Sequence, residues 1–527
     1  MTSLPLEKLA NHASSYASAH GIQVERRNDD GVSSYECAPI SLLPNAYPRS
    51  AFQHAKSLAK PYNDLVDRVS RDSEFLQKAL GGGVSDNDPY TAKLLELYNK
   101  IYVDDGDYGK FAQIADRLGI HRSDYMLTSD GPDGKHEPKQ VELNTVASSF
   151  AGLSANVADL HRHMTKRYKD DLKEFLESNK KLAAHNYGES TDEEDGVPVN
   201  PTMTCLPQAF NAAHEQYKSR FVSADSKSAP VVLFVVQDGE TNTVDQRMLE
   251  FALFDNHGVN VVRMSLTAAH TQLEVDETTG ALYIVDPNDS TIKQEVSVVY
   301  FRAGYAPTDY PDGIDGIEWE AREKMEISRA TKSPCLGFHL SGTKKVQQEL
   351  ATPGALEKFF PKPEESSTVE ALRSTFAGLY SLGDDADQLS FEAVKEVLSG
   401  GEGRYVLKPQ REGGGYNTYG EELAKKLKET VVESDDGLKL ADELGEFILM
   451  ERLFPPHQES ILLRAGRIVG QGDSVSELGC FGTVVTSHDG EVLHNEYGGF
   501  ILRTKFRDVD EGGVAAGFAT LSSPYLC

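Results

Sequence analysis

The segment Arg404 to Gly420, RYVLKPQREGGGYNTYG, collects the residue types that bind phosphate. A short strand is expected to end at Lys408, followed by Arg411, Glu412 and three glycines, Gly413 to Gly415. Glycine lets backbone N–H groups approach phosphate oxygens closely. A Lys and an Arg beside them supply charge-assisted hydrogen bonds of about 1.5–3 kcal/mol each. Glu412 could hold Mg²⁺, which binds through few carboxylates together with phosphates. The competing reading is a flexible surface turn; triple glycine alone would favour it, but the flanking Lys-x-x-Arg-Glu favours phosphate. No G-x-x-x-x-G-K-[ST] motif is present, SGTKK at Ser341 to Lys345 shares only its tail, and the H-R-D and D-F-G pair of kinases is absent. Nucleotide binding here requires another architecture.

Two more pairs stand two residues apart on expected strands, a spacing that points both side chains to one face. In QVELNTVASSFAGL these are Glu142 and Asn144, hard oxygen ligands for a metal, with Ser148 and Ser149 beyond them as carboxylate contacts. A solvated strand edge followed by a turn would read the same way. In GGFILRTKFRDVDEGGVAAGFATL they are Arg503 and Lys505, followed by a small-residue loop opened by Gly512 and Gly513. Two cations on one face suggest an anion site, although an edge strand blunted by charge has the same pattern. Arg302 and Tyr305 follow directly from an apolar strand, where α/β sheets commonly bind ligands, and a structural Arg is the alternative. Arg122, in HRSDYM, is expected just before a strand. None of the 15 histidines has metal-ligand spacing.

The elements that must position these residues follow from periodicity. To about residue 120 the chain is mainly helical, with an amphipathic run over 51–80, broken by Gly81 to Gly83, and a second helix through Leu94 and Tyr98. KQVELNTVA alternates as a strand entering a loop. The stretch GESTDEEDG at 188–196 has the composition of an exposed, disordered loop. Strands at 231–236, 259–264 and 296–301, with a helix at 244–257, predict a parallel α/β unit over 228–340. Helices are expected at 343–350, 368–382 and 391–398, with strands at 404–408 and 447–451 and near 468, 483 and 500.

Composition sets the class. The chain has 527 residues, 39% hydrophobic and 26% charged, as in ordinary globular proteins of more than one domain. Its net charge of −29, from 82 acidic and 53 basic residues, disfavours nucleic acid and anionic membranes, so an anionic ligand needs a local gathering of Lys and Arg. The five cysteines, Cys37, Cys205, Cys335, Cys480 and Cys527, are scattered, with no C-x-x-C, which fits a reducing compartment. The start MTSLPLEKLANHASSY does not read as a secretory signal, and the apolar runs are too short to span a bilayer. The expected setting is the cytoplasm.

Taken together, these strings resemble eukaryotic glutathione synthetases along nearly the whole chain, from ECAPISLLPNAYP near Cys37 to the end. The most specific are RSDYM (Arg122 to Met126), ELNT from Glu142, SGTKKVQQEL, YVLKPQREGGG, ILMER, SELGCFG and LRTK…GGVAAG. The resemblance implies an α/β ATP-grasp fold, in which two α+β lobes hold ATP under a glycine-rich lid, with an inserted parallel α/β substrate-binding subdomain. Its parts would be 1–227, 228–340 and 341–527, with the lid at about 400–450. It further implies a homodimer and two Mg²⁺ per active site, held by Glu142, Asn144 and Glu412. ATP would be surrounded by Glu142, Lys344, Lys408, Pro409, Gln410, Arg411, Glu412, Gly413, Gly414, Gly415, Tyr416, Asn417, Tyr419, Met450, Glu451, Arg452, Leu453, Glu477, Lys505 and Glu511. The peptide would meet Arg122, Val146, Ala147, Ser148, Ser149, Glu240, Thr241, Asn242, Gln246, Arg302, Ala303, Gly304, Tyr305, Arg503, Val514 and Ala515. Ala303, Tyr416, Arg452 and Glu511 depart from the family's usual Asp, Asn, Lys and Asp, and Thr241 also differs; Ala303 lacks a side-chain acceptor altogether.

By the same resemblance γ-glutamylcysteine, glycine and ATP give glutathione, ADP and phosphate through an acyl phosphate. Arg122 and Arg503 would stabilise charge at the reacting carboxylate, with Lys344 and Lys408 on ATP. Small side chains at Val514, Ala515 and Ala516 leave room for glycine. Two other readings remain: a ligase using a different amine such as β-alanine, and a silent ATP-binding paralogue, against which the intact Glu142, Asn144, Glu412 and Arg503 argue.

Overall fold

The computed structural model describes residues 4–527 apart from 29, 105, 129–135, 184–195, 224–227, 411–415, 435–436, 511 and 515–516. Most of the acidic run, the glycine run with Arg411 and Glu412, and Glu511 and Ala515 therefore lie outside the described residues. Gly196, at the end of the acidic run, exchanges backbone hydrogen bonds with Leu526.

The amphipathic run at 51–80 folds as three helices, Arg49–Ser57, Ala59–Ser70 and Ser73–Leu80. Their apolar stripes bury Leu58, Tyr62, Leu65, Val66, Val69, Leu76 and Leu80. Asp72 caps the third helix by accepting from the Phe75 N–H. The middle helix packs on two long strands, Arg467–Thr486 and Val492–Phe506.

Those strands belong to a sheet of 13 strands among the described residues. One half is antiparallel: Val492–Phe506, Arg467–Thr486, Arg117–Leu127 and Pro138–Asn144 lie side by side in that order. The other half is parallel and holds Val261–Met264, Val231–Val235, Asp289–Phe301 and Thr331–Ser333. Thr331–Ser333 joins the halves through Lys332 opposite Arg117. Every residue of Val231–Val235 is buried, as a parallel strand covered on both faces requires. The α/β pattern expected over 228–340 is thus present, and its sheet continues into the antiparallel half.

A second sheet is small and antiparallel, in the order Leu379–Ser381, Phe447–Glu451, Tyr405–Pro409, Thr418–Tyr419. Its apolar face packs Leu407 and Leu449 with Val394, Leu423 and Leu427.

Three local expectations are corrected. The helix expected over 368–382 ends at Ser374, and Leu379–Ser381 is a strand. Gly378 lies against the Glu451 side chain, where a Cβ would stand 2.5 Å from Glu451 Cδ, and the next three residues pair with Ile448 to Met450. Arg122 is in the middle of Arg117–Leu127 rather than before a strand, because that segment is paired on both sides. Arg503 is not on an edge: Val492–Phe506 runs between Arg467–Thr486 and Thr520–Ser522. No described helix is long and apolar enough to cross a membrane.

Candidate functional site

Four neighbouring antiparallel strands carry a floor of charge. Their register sets Arg503 opposite Glu477, Asp124 opposite both Gly479 and Glu142, and Arg122 opposite Asn144. Asp124 is fully buried and takes a two-pronged bond from Arg122, Nε to Oδ1 at 2.7 Å and Nη2 to Oδ2 at 2.8 Å. Arg503 Nη2 donates to Asp124 Oδ2 at 2.7 Å and also to Glu477 Oε1. Asn144 Nδ2 reaches Asp124 Oδ2 at 2.9 Å and Glu142 Oε1 at 3.2 Å. Lys344, in the first turn of Lys344–Ala351, brings its Nζ to 3.1 Å from Glu142 Oε2. From the small sheet, Lys408 reaches across to the Val141 carbonyl at 3.1 Å. Glycine at 479 makes this possible, since a Cβ there would stand 2.5 Å from Asp124 Oδ1 and 2.9 Å from Arg122 Cδ.

The charges set one another's protonation. Burial alone would raise the Glu142 pKa, but Lys344, Arg503, Lys408 and Arg122 hold it well below the usual carboxylate range. Glu477 is pushed up, by burial first and then by Asp124 and Glu142, against the pull of Arg503. Burial works against the Arg503 charge, yet Glu477, Asp124 and Glu142 raise its pKa further. Arg503 therefore stays cationic at any working pH.

Beyond Asn144 the chain turns through a strained loop. Ala147 (φ 50°) and Phe150 (φ 68°) occupy the left-handed region that side chains normally avoid. Asp245 holds the loop's far end by accepting from the N–H groups of Phe150 (2.7 Å), Gly152 (2.8 Å) and Leu153 (3.2 Å). Burial pushes the Asp245 carboxyl up, while Arg302 and these N–H groups oppose it. Arg302 Nη1 donates to the Ala147 carbonyl at 2.8 Å, and Arg122 Nη1 to that of Ser149 at 3.3 Å.

Floor, loop and small sheet enclose a cleft of about 700 Å³. Of the anticipated residues, Arg122, Glu142, Asn144, Val146, Ala147, Ser148, Ser149, Tyr305, Lys344, Lys408, Pro409, Tyr416, Asn417, Tyr419, Met450, Glu451, Arg452, Leu453, Glu477, Arg503, Lys505 and Val514 line it. Gln410, Glu240, Thr241, Asn242, Gln246, Arg302, Ala303 and Gly304 are not in its lining. Gln410 is tied to the Lys345 N–H and the Glu446 carbonyl. Glu240 accepts from the Asn242 N–H and from Gln246, both at 2.6 Å, and Gln246 in turn accepts from Arg263. Gly304 and Tyr305 donate their N–H groups to Asp309, a carboxylate from the same loop.

Sequence reasoning gave no role to Asp124 or Asp245. For Asp124 the signal was present, since it stands two residues from Arg122 as Asn144 does from Glu142. Nor did it single out the apolar wall of Met126, Val406 and Val475 beside Met450 and Leu453, suited to a flat heterocycle. Oxygens of Asp124, Glu142 and Glu477 lie within 4.8 Å of one another. Those of Asp124 carry bonds from Arg122, Arg503 and Asn144, and the hard donors lining the cleft for a cation such as Mg²⁺ are Glu142, paired with Lys344, Glu477, bonded to Arg503 through Oε1, and the Asn144 amide oxygen.

A cation-rich floor, bordered by apolar side chains from both sheets and by carboxylate and amide oxygens, is a cleft suited to an anionic ligand that carries an apolar group. The chain matches the model of the eukaryotic glutathione synthase ATP-binding domain over residues 4–526. It is 38% identical to a chloroplastic glutathione synthetase of Solanum lycopersicum, over 99% of this chain and 84% of that protein. Identity is 37% to the glutathione synthetase of Xenopus laevis and 35% to that of Homo sapiens, each over 99% of this chain and 97% of the relative. A solved structure, a glutathione synthetase-like effector from Globodera pallida in its apo form, shares the fold with a TM-score of 0.70 at 21% identity, covering 100% of this chain and 98% of that one. The chain belongs to the eukaryotic glutathione synthase family, ATP-binding ligases of glutathione biosynthesis.

Proposed function

We propose that this protein joins γ-glutamylcysteine to glycine, converting ATP to ADP and phosphate and releasing glutathione. The observation that carries the reading is the gathering of Arg122, Arg503, Lys344, Lys408 and Lys505 along one cleft of a chain whose net charge is −29. That gathering offsets the carboxylates of the floor and gives an arriving anion a local cationic field.

A free carboxylate is a poor acyl donor because its leaving group would be oxide. Attack of the cysteinyl carboxylate oxygen on the γ-phosphorus expels ADP and leaves an acyl phosphate, whose leaving group is phosphate. The glycine nitrogen then adds to the acyl carbon, giving a tetrahedral oxyanion, and collapse expels phosphate as the nitrogen loses its proton. Lys344 and Lys408 sit where the polyphosphate would lie, and Met126, Val406, Met450 and Leu453 where the base would. Arg122 and Arg503 face the developing negative charge, stabilising it by dipoles and charges already in place. Glu142 and Asn144, with Glu412, would hold Mg²⁺, two ions per site, which when bound neutralise phosphate oxygens. The residues around Gly413 to Gly415 would form the lid of this ATP-grasp scheme, with Gly512 to Gly517 as a second candidate moving part, and would keep water from the acyl phosphate.

We take 1–227, 228–340 and 341–527 as the working parts, with the lid in 400–450. Five free cysteines support a reducing setting, for which we propose the cytoplasm. Phe251 and Phe254, more than half exposed on Thr243–His257, with Tyr35 on a neighbouring hairpin, support a homodimer through that face.

The test is phosphate release with ATP and Mg²⁺ on adding γ-glutamylcysteine and a panel of amines, with products identified by mass. Release requiring both γ-glutamylcysteine and glycine, with glutathione formed, is the expected result. Preference for β-alanine or another amine would replace the acceptor, and ATP binding without any substrate-dependent release would overturn the ligase in favour of a silent paralogue.

A further inference from the structure

We propose that Asp124 is the positioning residue of this site: its carboxylate turns the Asn144 amide oxygen into the cleft and sets the spacing of Arg122 and Arg503. The inference rests on the ligase reading above and adds a residue to it. Asp124 is fully buried and absent from the lining of the cleft, so it acts only through its neighbours.

Four donor contacts converge on it. An ionised carboxylate accepts at about four lone-pair positions, and Asp124 takes Arg122 Nε on Oδ1 and Arg122 Nη2, Arg503 Nη2 and Asn144 Nδ2 on Oδ2. Although its oxygens lie near those of Glu142 and Glu477, a cation would have to displace an arginine to use them.

What Asp124 does to Asn144 follows from donor and acceptor types. The Asn144 nitrogen faces three acceptors: Asp124 Oδ2 at 2.9 Å, Glu142 Oε1 at 3.2 Å and the Arg122 carbonyl at 3.4 Å. The flipped amide would press its oxygen against all three. Asn144 is therefore locked with the nitrogen inward and the oxygen free for a hard cation, the outer-shell control by which ligands are oriented. The two arginines are fixed by the same group. Arg122 spends two nitrogens of its fork on Asp124 and has Nη1 left for the Ser149 carbonyl, while Arg503 bridges Asp124 and Glu477. The absence of a side chain at Gly479 belongs to this arrangement, since a Cβ would collide with both members of the Arg122–Asp124 pair.

Asp124→Asn keeps the volume and turns one acceptor into a donor. With ATP present, Mn²⁺ affinity read from the resonance of the free ion should fall about 10–100-fold, and kcat with it, as for other outer-shell partners. The KM for ATP should stay within about threefold, because Lys344 and Lys408 are untouched. The exchange D124N/N144D restores a donor facing an acceptor at unchanged total charge, and should regain about tenfold in Mn²⁺ affinity over D124N. Mn²⁺ affinity and kcat within about threefold of the parent in D124N, or no recovery in the exchanged pair, would overturn the proposal. Should D124N fail to fold, the anomalous signal of Mn²⁺ bound with ATP to the unaltered protein decides: Asn144 Oδ1 on the ion is expected, and an Asp124 oxygen on it overturns the proposal. An unaltered protein that binds Mn²⁺ and ATP but makes no glutathione would sink the ligase reading and leave the Mn²⁺ readout standing.

Discussion

On the floor of the cleft Arg122, Asp124, Glu142, Glu477 and Arg503 stand on mutually paired strands of 11, 7, 20 and 15 residues. Across from it, Val406, Met450 and Tyr419 come from a sheet whose strands have two to five residues. Of the floor's interlocked charges Arg122, Asp124 and Glu477 are buried and Glu142 and Arg503 partly so, and removing a buried one leaves the others uncompensated at a cost of several kcal/mol. On the opposite wall the contacts are mainly apolar or backbone, and the ion pair Arg452–Asp510 is partly exposed. Long paired strands thus carry the interlocked charges, and short strands carry the wall across from them.

Deleting floor charge should have the largest effect. Arg503→Ala is expected to lower turnover by about 10²–10³, roughly 3–4 kcal/mol, in phosphate release at saturating substrates. Arg503→Lys, which keeps the charge but cannot bridge Asp124 and Glu477, separates charge from geometry. Near-parental turnover in Arg503→Ala would remove Arg503 from the mechanism. Next comes Lys344→Met, expected to weaken ATP by about 1.5–3 kcal/mol, the worth of a hydrogen bond to a charged group; an unchanged Kd by calorimetry would put the nucleotide elsewhere.

Acid should act on the large sheet. Burial pushes His161 and His214, on helices packed against it, down to about 4 each. In the unfolded chain they titrate near 6.5, so their contribution is complete above that pH and is lost as pH falls from about 6.5 toward 4. At pH 5.5 the loss is on the order of 1 kcal/mol per histidine, read by urea denaturation against pH 7.5; a flat profile would contradict the assignment. Residues 340–456, which include the small sheet, contain no histidine. Smallest of all, Arg452→Ala should cost below about 1 kcal/mol, as exposed pairs do. A loss above about 2 kcal/mol would mean that this wall is charge-locked like the floor, and would break the comparison.

Where chemistry and periodicity coincided, the sequence was a good guide. The two-residue spacings of Glu142 with Asn144 and of Arg503 with Lys505 brought all four side chains to the cleft, and the strand leading to Lys408 was found within a residue or two. Partners distant in the chain were not legible. Asp124 reads as part of RSDYM until strand pairing brings it against Arg503, 379 residues away. Arg302, expected on substrate, donates from Nη1 to the Ala147 carbonyl of the strained loop, a link to the cleft that only the fold sets. Glu240 accepts from the Asn242 N–H and from Gln246 away from the cleft lining, contacts that composition does not reveal, and the Asn242 side-chain oxygen is buried with no partner. Leu379–Ser381 was missed because three residues are too few for periodicity, and their pairing with Ile448 to Met450 is what makes them a strand.

Activation of a carboxylate by phosphoryl transfer is the step proposed for this cleft. The direct measurement uses γ-glutamylcysteine labelled with ¹⁸O in its cysteinyl carboxylate, turned over with ATP and glycine, with the released phosphate analysed by mass. An acyl phosphate requires one labelled oxygen per phosphate formed. Unlabelled phosphate accompanying glutathione would contradict the mechanism at its first step.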